Sequence, residues 1–375
     1  MRVLLKNVDL YTPKHVGLID LLIENGQIIK IDKNIMDSCE TIDYKGKIVC
    51  PMLVDGHEHL KDTQNYNPND ILTSGVGSVV GCLADEQSEE CCKRLIEVTK
   101  ELRDKYNVDA YCLAGSKNCL YDTKEYILKN ACVVGIKTAL FSNGRPKPNL
   151  SYDKLKQDAL STYIAGIKAG KKVQVHIHLD HPFPRGESAD ISEINSGKID
   201  NLHWIDKIVE ETGVPYSLFK LTHAQKYYDR ILEYANKGCF IDYTAFEGNY
   251  DCGFDCLIGA IKSKKVDLSK ISISSDLGIL TMERGLKGKE TPITILNTIQ
   301  KLVLEKGLNF EDVLRMVTIN ALKPITNKEE LIFEGALARL VVLSKDIQIE
   351  EIIFNGKFIN IKQETNQECS WLERK

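Results

Sequence analysis

Short runs of apolar residues punctuate both ends of the chain, while the long middle alternates such runs with amphipathic stretches of helical spacing. Near the start, residues 3–5, 18–23, 28–31 and 47–49 read as short strands, and Glu24-Asn25-Gly26 is a tight hairpin signal between two of them. Residues 340–343, 351–354 and 358–359 repeat the pattern at the far end, with Asn355-Gly356 turning the chain. Two strand-rich ends around a long α/β middle predict that both ends pair into one small β-sandwich domain, spanning residues 1–50 and 331–365. Residues 366–375 are polar and are expected to form a flexible tail.

In the middle, candidate strands fall at 52–54, 78–83, 110–113, 132–136, 173–175, 216–221, 239–243 and 271–274. Between them lie amphipathic stretches such as 89–106, with Leu95, Val98 and Leu102 among its apolar residues. Repeated strand-helix units of this length point to a parallel sheet. Eight strands fit a closed (β/α)8 TIM barrel over residues 51–330, with its active site at the C-terminal ends of the strands. A doubly wound open sheet would place a glycine-rich turn after an early strand, and no G-x-G-x-x-G follows one here.

A chain of 375 residues suits such a barrel plus an accessory module. The formal net charge of −4 gives no electrostatic reason to expect nucleic acid or an anionic membrane as partner. The apolar runs are far shorter than the roughly 20 residues needed to cross a bilayer. Lys6 and Asp9 interrupt the N-terminal apolar run and no cleavage site follows, so a cytoplasmic protein is expected. Twelve cysteines are scattered without disulfide spacing, and Cys252 and Cys256 lack the second pair that a zinc knuckle needs.

Six residues able to bind metal close these apolar runs in order: His57 and His59, Lys137, His176, His223 and Asp276. A ring of parallel strands would bring all six to one rim, where they could hold two divalent metals and the water between them. His57 and His59 share one strand face while Glu58 points elsewhere. Taken singly, each residue has an ordinary alternative. An H-x-H pair can lie in a core or on a surface, a lysine after a strand can be a solvated end, and an aspartate there can cap a helix. His176 and His178 share a face, so the strand that carries them admits two registers.

Pro51-Met52-Leu53-Val54-Asp55-Gly56-His57-Glu58-His59 resembles the first barrel strand of the metal-dependent amidohydrolase superfamily, approximately P-G-x-I-D-x-H-x-H. The resemblance covers nearly the whole chain. Ile23-Glu24-Asn25-Gly26-Gln27-Ile28 is similar to the superfamily's first sandwich strand pair, and Thr318-Ile319-Asn320-Ala321 to its T-x-N-A run. The segment from Gly335 to Leu343 is similar to its closing G-x-D-A-D-L-V-V-L, with Arg339 in place of the acidic residue. The resemblance implies a metal-dependent hydrolase with two divalent ions, zinc expected, bridged by a carboxylated Lys137 and a hydroxide. Such an adduct forms from a neutral amine, the form that burial beside cations favours. His57, His59 and Asp276 would hold one ion, and His176 and His223 the other. Asp276, in Ser274-Ser275-Asp276, would also carry the proton to the leaving nitrogen, and His178 would line the substrate pocket.

Within the superfamily the chain is most similar to the bacterial isoaspartyl (β-aspartyl) dipeptidases. The similarity rests on residues 73–81, on Gly135-Ile136-Lys137-Thr138-Ala139 and on Thr222-His223. Arg145 and Lys226 stand where those enzymes carry arginines that clamp a substrate carboxylate, Arg145 displaced by one position. Two features depart from the pattern. The glycine-rich loop with its amine-gripping glutamate is replaced by residues 61–67, and Gly115-Ser116-Lys117-Asn118 stands where a tyrosine is expected. The resemblance thus implies cleavage of an amide in a small, carboxylate-bearing molecule, with a β-aspartyl dipeptide as first candidate. The other reactions of the superfamily considered are deacylation of N-acyl amino acids, opening of a cyclic amide as in dihydroorotases, and deamination. Deamination ranks low because Lys137 is present and Asp180 stands where deaminases carry a glutamate. Some relatives have lost their metals and serve as assembly proteins, but no ligand is lost here. A homo-oligomer is also implied.

Overall fold

The computed structural model describes residues 1–60, 68–83, 88–116, 119, 121–140, 151–179, 201–227, 229–245, 251–277 and 294–359. Five strands come first: β1 (Arg2–Tyr11), β2 (His15–Glu24), β3 (Gln27–Asp32), β4 (Glu40–Asp43) and β5 (Ile48–Pro51). Eight follow: β6 (Leu53–Glu58), β7 (Val76–Gly81), β8 (Asp109–Ala114), β9 (Val133–Leu140), β10 (Gln174–Leu179), β11 (Phe219–Thr222), β12 (Phe240–Thr244) and β13 (Ile271–Ser274). The chain closes with β14 (Arg339–Leu343), β15 (Ile349–Phe354) and β16 (Lys357–Ile359). It divides into two compact units, one of residues 1–53, 69–77 and 330–375, the other of 54–68 and 78–329.

In the first unit both ends of the chain join one mixed sheet, ordered β16-β15-β14-β5-β1-β2-β3, with β4 pairing beside β1. Alternation sorts its side chains. Val3, Leu5, Leu21, Ile23, Leu340, Val342 and Ile353 fill the main core, while Leu4 and Leu22 join Ile35 in a second cluster. Both tight turns are as the sequence suggests: Asn25 and Gly26 have φ of 49° and 85°, and Asn355 and Gly356 have 51° and 76°. The turns also lie against one another, since a Cβ on Gly26 would stand 2.7 Å from the Asn355 carbonyl oxygen. Strand β4 was not expected. It is polar and largely exposed, so no apolar alternation marks it.

In the second unit the eight central strands run in sequence order from β6 to β13, each registered pair parallel. Main-chain bonds close the ring: Asp276 N–H donates to the His57 carbonyl at 3.0 Å, and His59 N–H to that of Leu277 at 2.9 Å. This is the TIM barrel expected from the strand-helix alternation. The helix predicted at 89–106 is Glu89–Tyr106, capped by the Ser88 side chain and buried through Leu95, Val98 and Leu102. One strand is shorter than its apolar run, because Tyr216–Leu218 is a 3-10 turn after Pro215 and pairing begins at Phe219.

Parallel register sets β10 against its neighbours: His176 lies beside Lys137 on one side and Lys220 on the other. Gly135 makes this approach possible. Its φ is +146°, and a Cβ there would lie 2.0 Å from the Gln174 carbonyl oxygen. Gly135→Ala is therefore expected to cost about 3 kcal/mol or more, because backbone and not a flexible side chain must give way. Denaturant unfolding measures it, and a loss under about 1 kcal/mol would contradict the close approach.

Candidate metal centre

Strand β6 delivers His57, and His59 follows just past its end, two residues on and therefore on the same side. The Asp55 carboxylate holds this segment to the end of β13. It accepts from His57 N–H at 3.2 Å and Ser275 N–H at 3.1 Å, and pairs with the Ser275 hydroxyl. Burial pushes Asp55 up to about 6 against those bonds. His223 comes directly after β11 and Asp276 two residues past the end of β13, both in left-handed backbone with φ of 65° and 56°. Non-glycine residues pay for that conformation, and it turns both side chains inward where the strands stop.

The atoms converge closely. Asp276 Oδ1 lies 3.1 Å from His57 Nε2 and 3.2 Å from His59 Nε2, and those two nitrogens are 3.3 Å apart. Lys137 Nζ is 3.4 Å from each of the same nitrogens. His57, His223 and Asp276 form a second, overlapping group, each offering an atom within 4.8 Å of the others. His223 Nδ1 pairs with the Thr244 hydroxyl at 2.7 Å, which leaves Nε2 buried without a partner. His176 Nδ1 is likewise buried and unpartnered.

These features fit divalent ions. Ligands at about 2.0–2.1 Å from a common tetrahedral centre stand about 3.3 Å apart, the spacing of the first three atoms. A histidine ligand commonly fixes its other ring nitrogen on a neighbour, as His223 does on Thr244. Buried polar atoms without partners are costly unless something else satisfies them. The charges agree. Burial pushes His176 and His223 well below the usual histidine range, leaving neutral imidazoles with lone pairs. Burial raises Asp276, but His223, His57 and His59 outweigh it and hold the carboxylate ionised. His57 moves the other way, to about 9: burial opposes its charge, yet Cys82 and Asp276 prevail over Lys137.

The remaining sequence-derived residues are placed as follows. His176 sits behind His57, its Nε2 2.7 Å from His57 Nδ1, and joins neither group. His178 stacks edge-on against His223 with ring centres 4.3 Å apart. Lys226 donates to the Leu179 carbonyl at 3.2 Å, at the end of β10. Arg145, Asp180 and residues 61–67 lie outside the described residues, as do Lys117 and Asn118. Cys82 was missed. Its Sγ is 3.2 Å from Lys137 Nζ and 3.8 Å from both ring nitrogens of His59. Burial pushes its thiol up, but His57, His59 and Lys137 pull it well below the usual thiol range, whereas burial alone drives Cys50 up to about 12. All ten described cysteines are free.

Solved structures share this architecture. The β-aspartyl dipeptidase of Fervidobacterium islandicum AW-1, in complex with a β-Asp-Leu dipeptide, superposes with a TM-score of 0.77. The two are 21% identical over 96% of each chain. A D-hydantoinase superposes with a TM-score of 0.65, at 16% identity, over 96% of this chain and 95% of the other. The fold is the one these two hydrolases share. A sequence match to the dihydroorotase of Aquifex aeolicus (strain VF5) adds 40% identity over 84 residues, 22% of this chain and 20% of that enzyme. The matched stretches span about a fifth of the length of the dihydroorotases found. No protein-family model matches. Among the described residues, no helix is long and apolar enough to cross a membrane.

Proposed function

We propose that the chain is a metal-dependent hydrolase that cleaves an amide bond in a small carboxylate-bearing substrate, with a β-aspartyl dipeptide as first candidate. The observation that carries this reading is the convergence of His57, His59 and Asp276 within 3.3 Å of one another, with a His223 ring nitrogen buried nearby without a partner. His57, His59 and Asp276 would hold one divalent ion, zinc expected, and His223 a second, to which His176 would turn its unpartnered Nδ1. When bound, such ions polarise a carbonyl and make water a stronger acid. Lys137 stands beside His57 and His59, 1% exposed, with no carboxylate among its observed partners. A buried ammonium so placed is costly, which favours its conversion by carbon dioxide to a carbamate.

The chain's own residues then divide the work. The Asp276 carboxylate takes a proton from the attacking water and passes it to the leaving nitrogen. Lys226, with Arg145, orients the substrate carboxylate, and His178 lines the pocket beside His223. The 40% identical stretch shared with a dihydroorotase favours a second reading, in which the amide is cyclic. A screen of β-aspartyl dipeptides, N-acyl amino acids and cyclic amides tests both. One class should be hydrolysed by metal-loaded protein, stripping with a chelator should abolish turnover, and zinc should restore it. Protein that contains no stoichiometric metal and hydrolyses none of them would instead indicate a non-catalytic assembly role.

A further inference from the structure

We propose that Cys82 is itself a ligand of the metal centre, so that the ion at His57 and His59 is held by sulfur as well as by nitrogen. The inference rests on the reading of this site as a metal centre and adds a donor to it. Cys82 follows the last residue of β7, and its N–H donates to the Glu58 carbonyl at 2.8 Å. That bond ties it to the stretch between His57 and His59 and fixes where its side chain enters. Only 1% of the residue is exposed. His57, His59 and Cys82 each offer one donor atom within 4.8 Å of the others. The thiol's polar neighbours are imidazole nitrogens and the Lys137 amine, an unusual setting for a cysteine that serves only as a small apolar filler. Asp276 Oδ1, 3.1 and 3.2 Å from the same two imidazoles, independently adds an anionic donor at the same place.

Cys82 would bind the ion as a thiolate, and any proton it carries goes to solvent on binding. A thiolate donor favours zinc, cobalt and cadmium over magnesium, calcium and manganese, which prefer oxygen. Full-length protein stripped of metal and reloaded with Co2+ tests the assignment. Wild type should show sulfur-to-cobalt charge-transfer absorption in the near ultraviolet. Cys82→Ser and Cys82→Ala should lose it while keeping the visible bands of cobalt on nitrogen and oxygen. X-ray absorption of zinc-loaded wild type needs no variant and should show a sulfur neighbour at about 2.3 Å. A nitrogen- and oxygen-only shell in wild type, or a charge-transfer band that survives in Cys82→Ser, overturns the inference and leaves the metal centre standing. Protein that takes up neither ion overturns both.

Discussion

Asp276→Asn should keep its metal and lose turnover by on the order of 10²–10⁴-fold. Asparagine has the same shape, can still offer an oxygen to an ion, and tolerates the left-handed backbone that position 276 requires at φ 56°. What it lacks is the charge and the basicity. In the native site the carboxylate stays ionised because His223, His57 and His59 outweigh burial, so it is free to take a proton at neutral pH. Turnover measured alongside metal content separates the roles. Near-normal rates at full metal occupancy would remove Asp276 from the proton path, and loss of metal with loss of rate would make it a ligand only.

The largest effect on stability should come from Asp242→Ala, at about 3–5 kcal/mol. Lys220 and Asp242 form a buried pair at 3.2 Å inside the barrel, 1% and 0% exposed. Asp242 also accepts from the hydroxyls of Thr222 at 2.9 Å and of Ser272 and Ser274 at 2.5 Å each. Lys220 donates to the Gly56 carbonyl at 3.0 Å, between Asp55 and His57. Removing the carboxylate strands an ammonium in the core and loosens the strand that carries the first two histidines. Burial raises Asp242, but Lys220 and the serines prevail and lower it. The pair's contribution is thus present at neutral pH and lost as pH falls through the native value. Denaturant unfolding at neutral pH is the check. A paired change to apolar residues, Asp242→Leu with Lys220→Met, should cost less than Asp242→Ala alone. A single-variant loss below about 1 kcal/mol would mean that the pair is not buried as described.

How much of this was legible in the sequence depended on whether a signal repeats. The barrel was readable because eight apolar runs recur at strand-helix spacing, and the sheet of the two ends because Asn25-Gly26 and Asn355-Gly356 need φ > 0 that few other residues accept. His57 and His59 carry their own geometry in an i, i+2 spacing. Lys137, His223 and Asp276 do not: each is one polar residue after an apolar run, and their order along the chain and the family resemblance singled them out. Cys82 had no such place, being one of twelve cysteines without a spacing rule. The Lys220–Asp242 pair left a trace that went unused. A lysine inside Leu218-Phe219-Lys220-Leu221 must be paired if the run is buried. Strand β4 left none, because pairing through the backbone alone needs no apolar pattern.

Anomalous diffraction at the zinc edge, from crystals of zinc-loaded protein, tests the central claim most directly. The account predicts one strong peak among His57 Nε2, His59 Nε2 and Asp276 Oδ1 and a second on the His223 side, with Lys137 between them. A structure at the same zinc concentration with no peak there, and with these side chains hydrogen-bonded to one another instead, would contradict it.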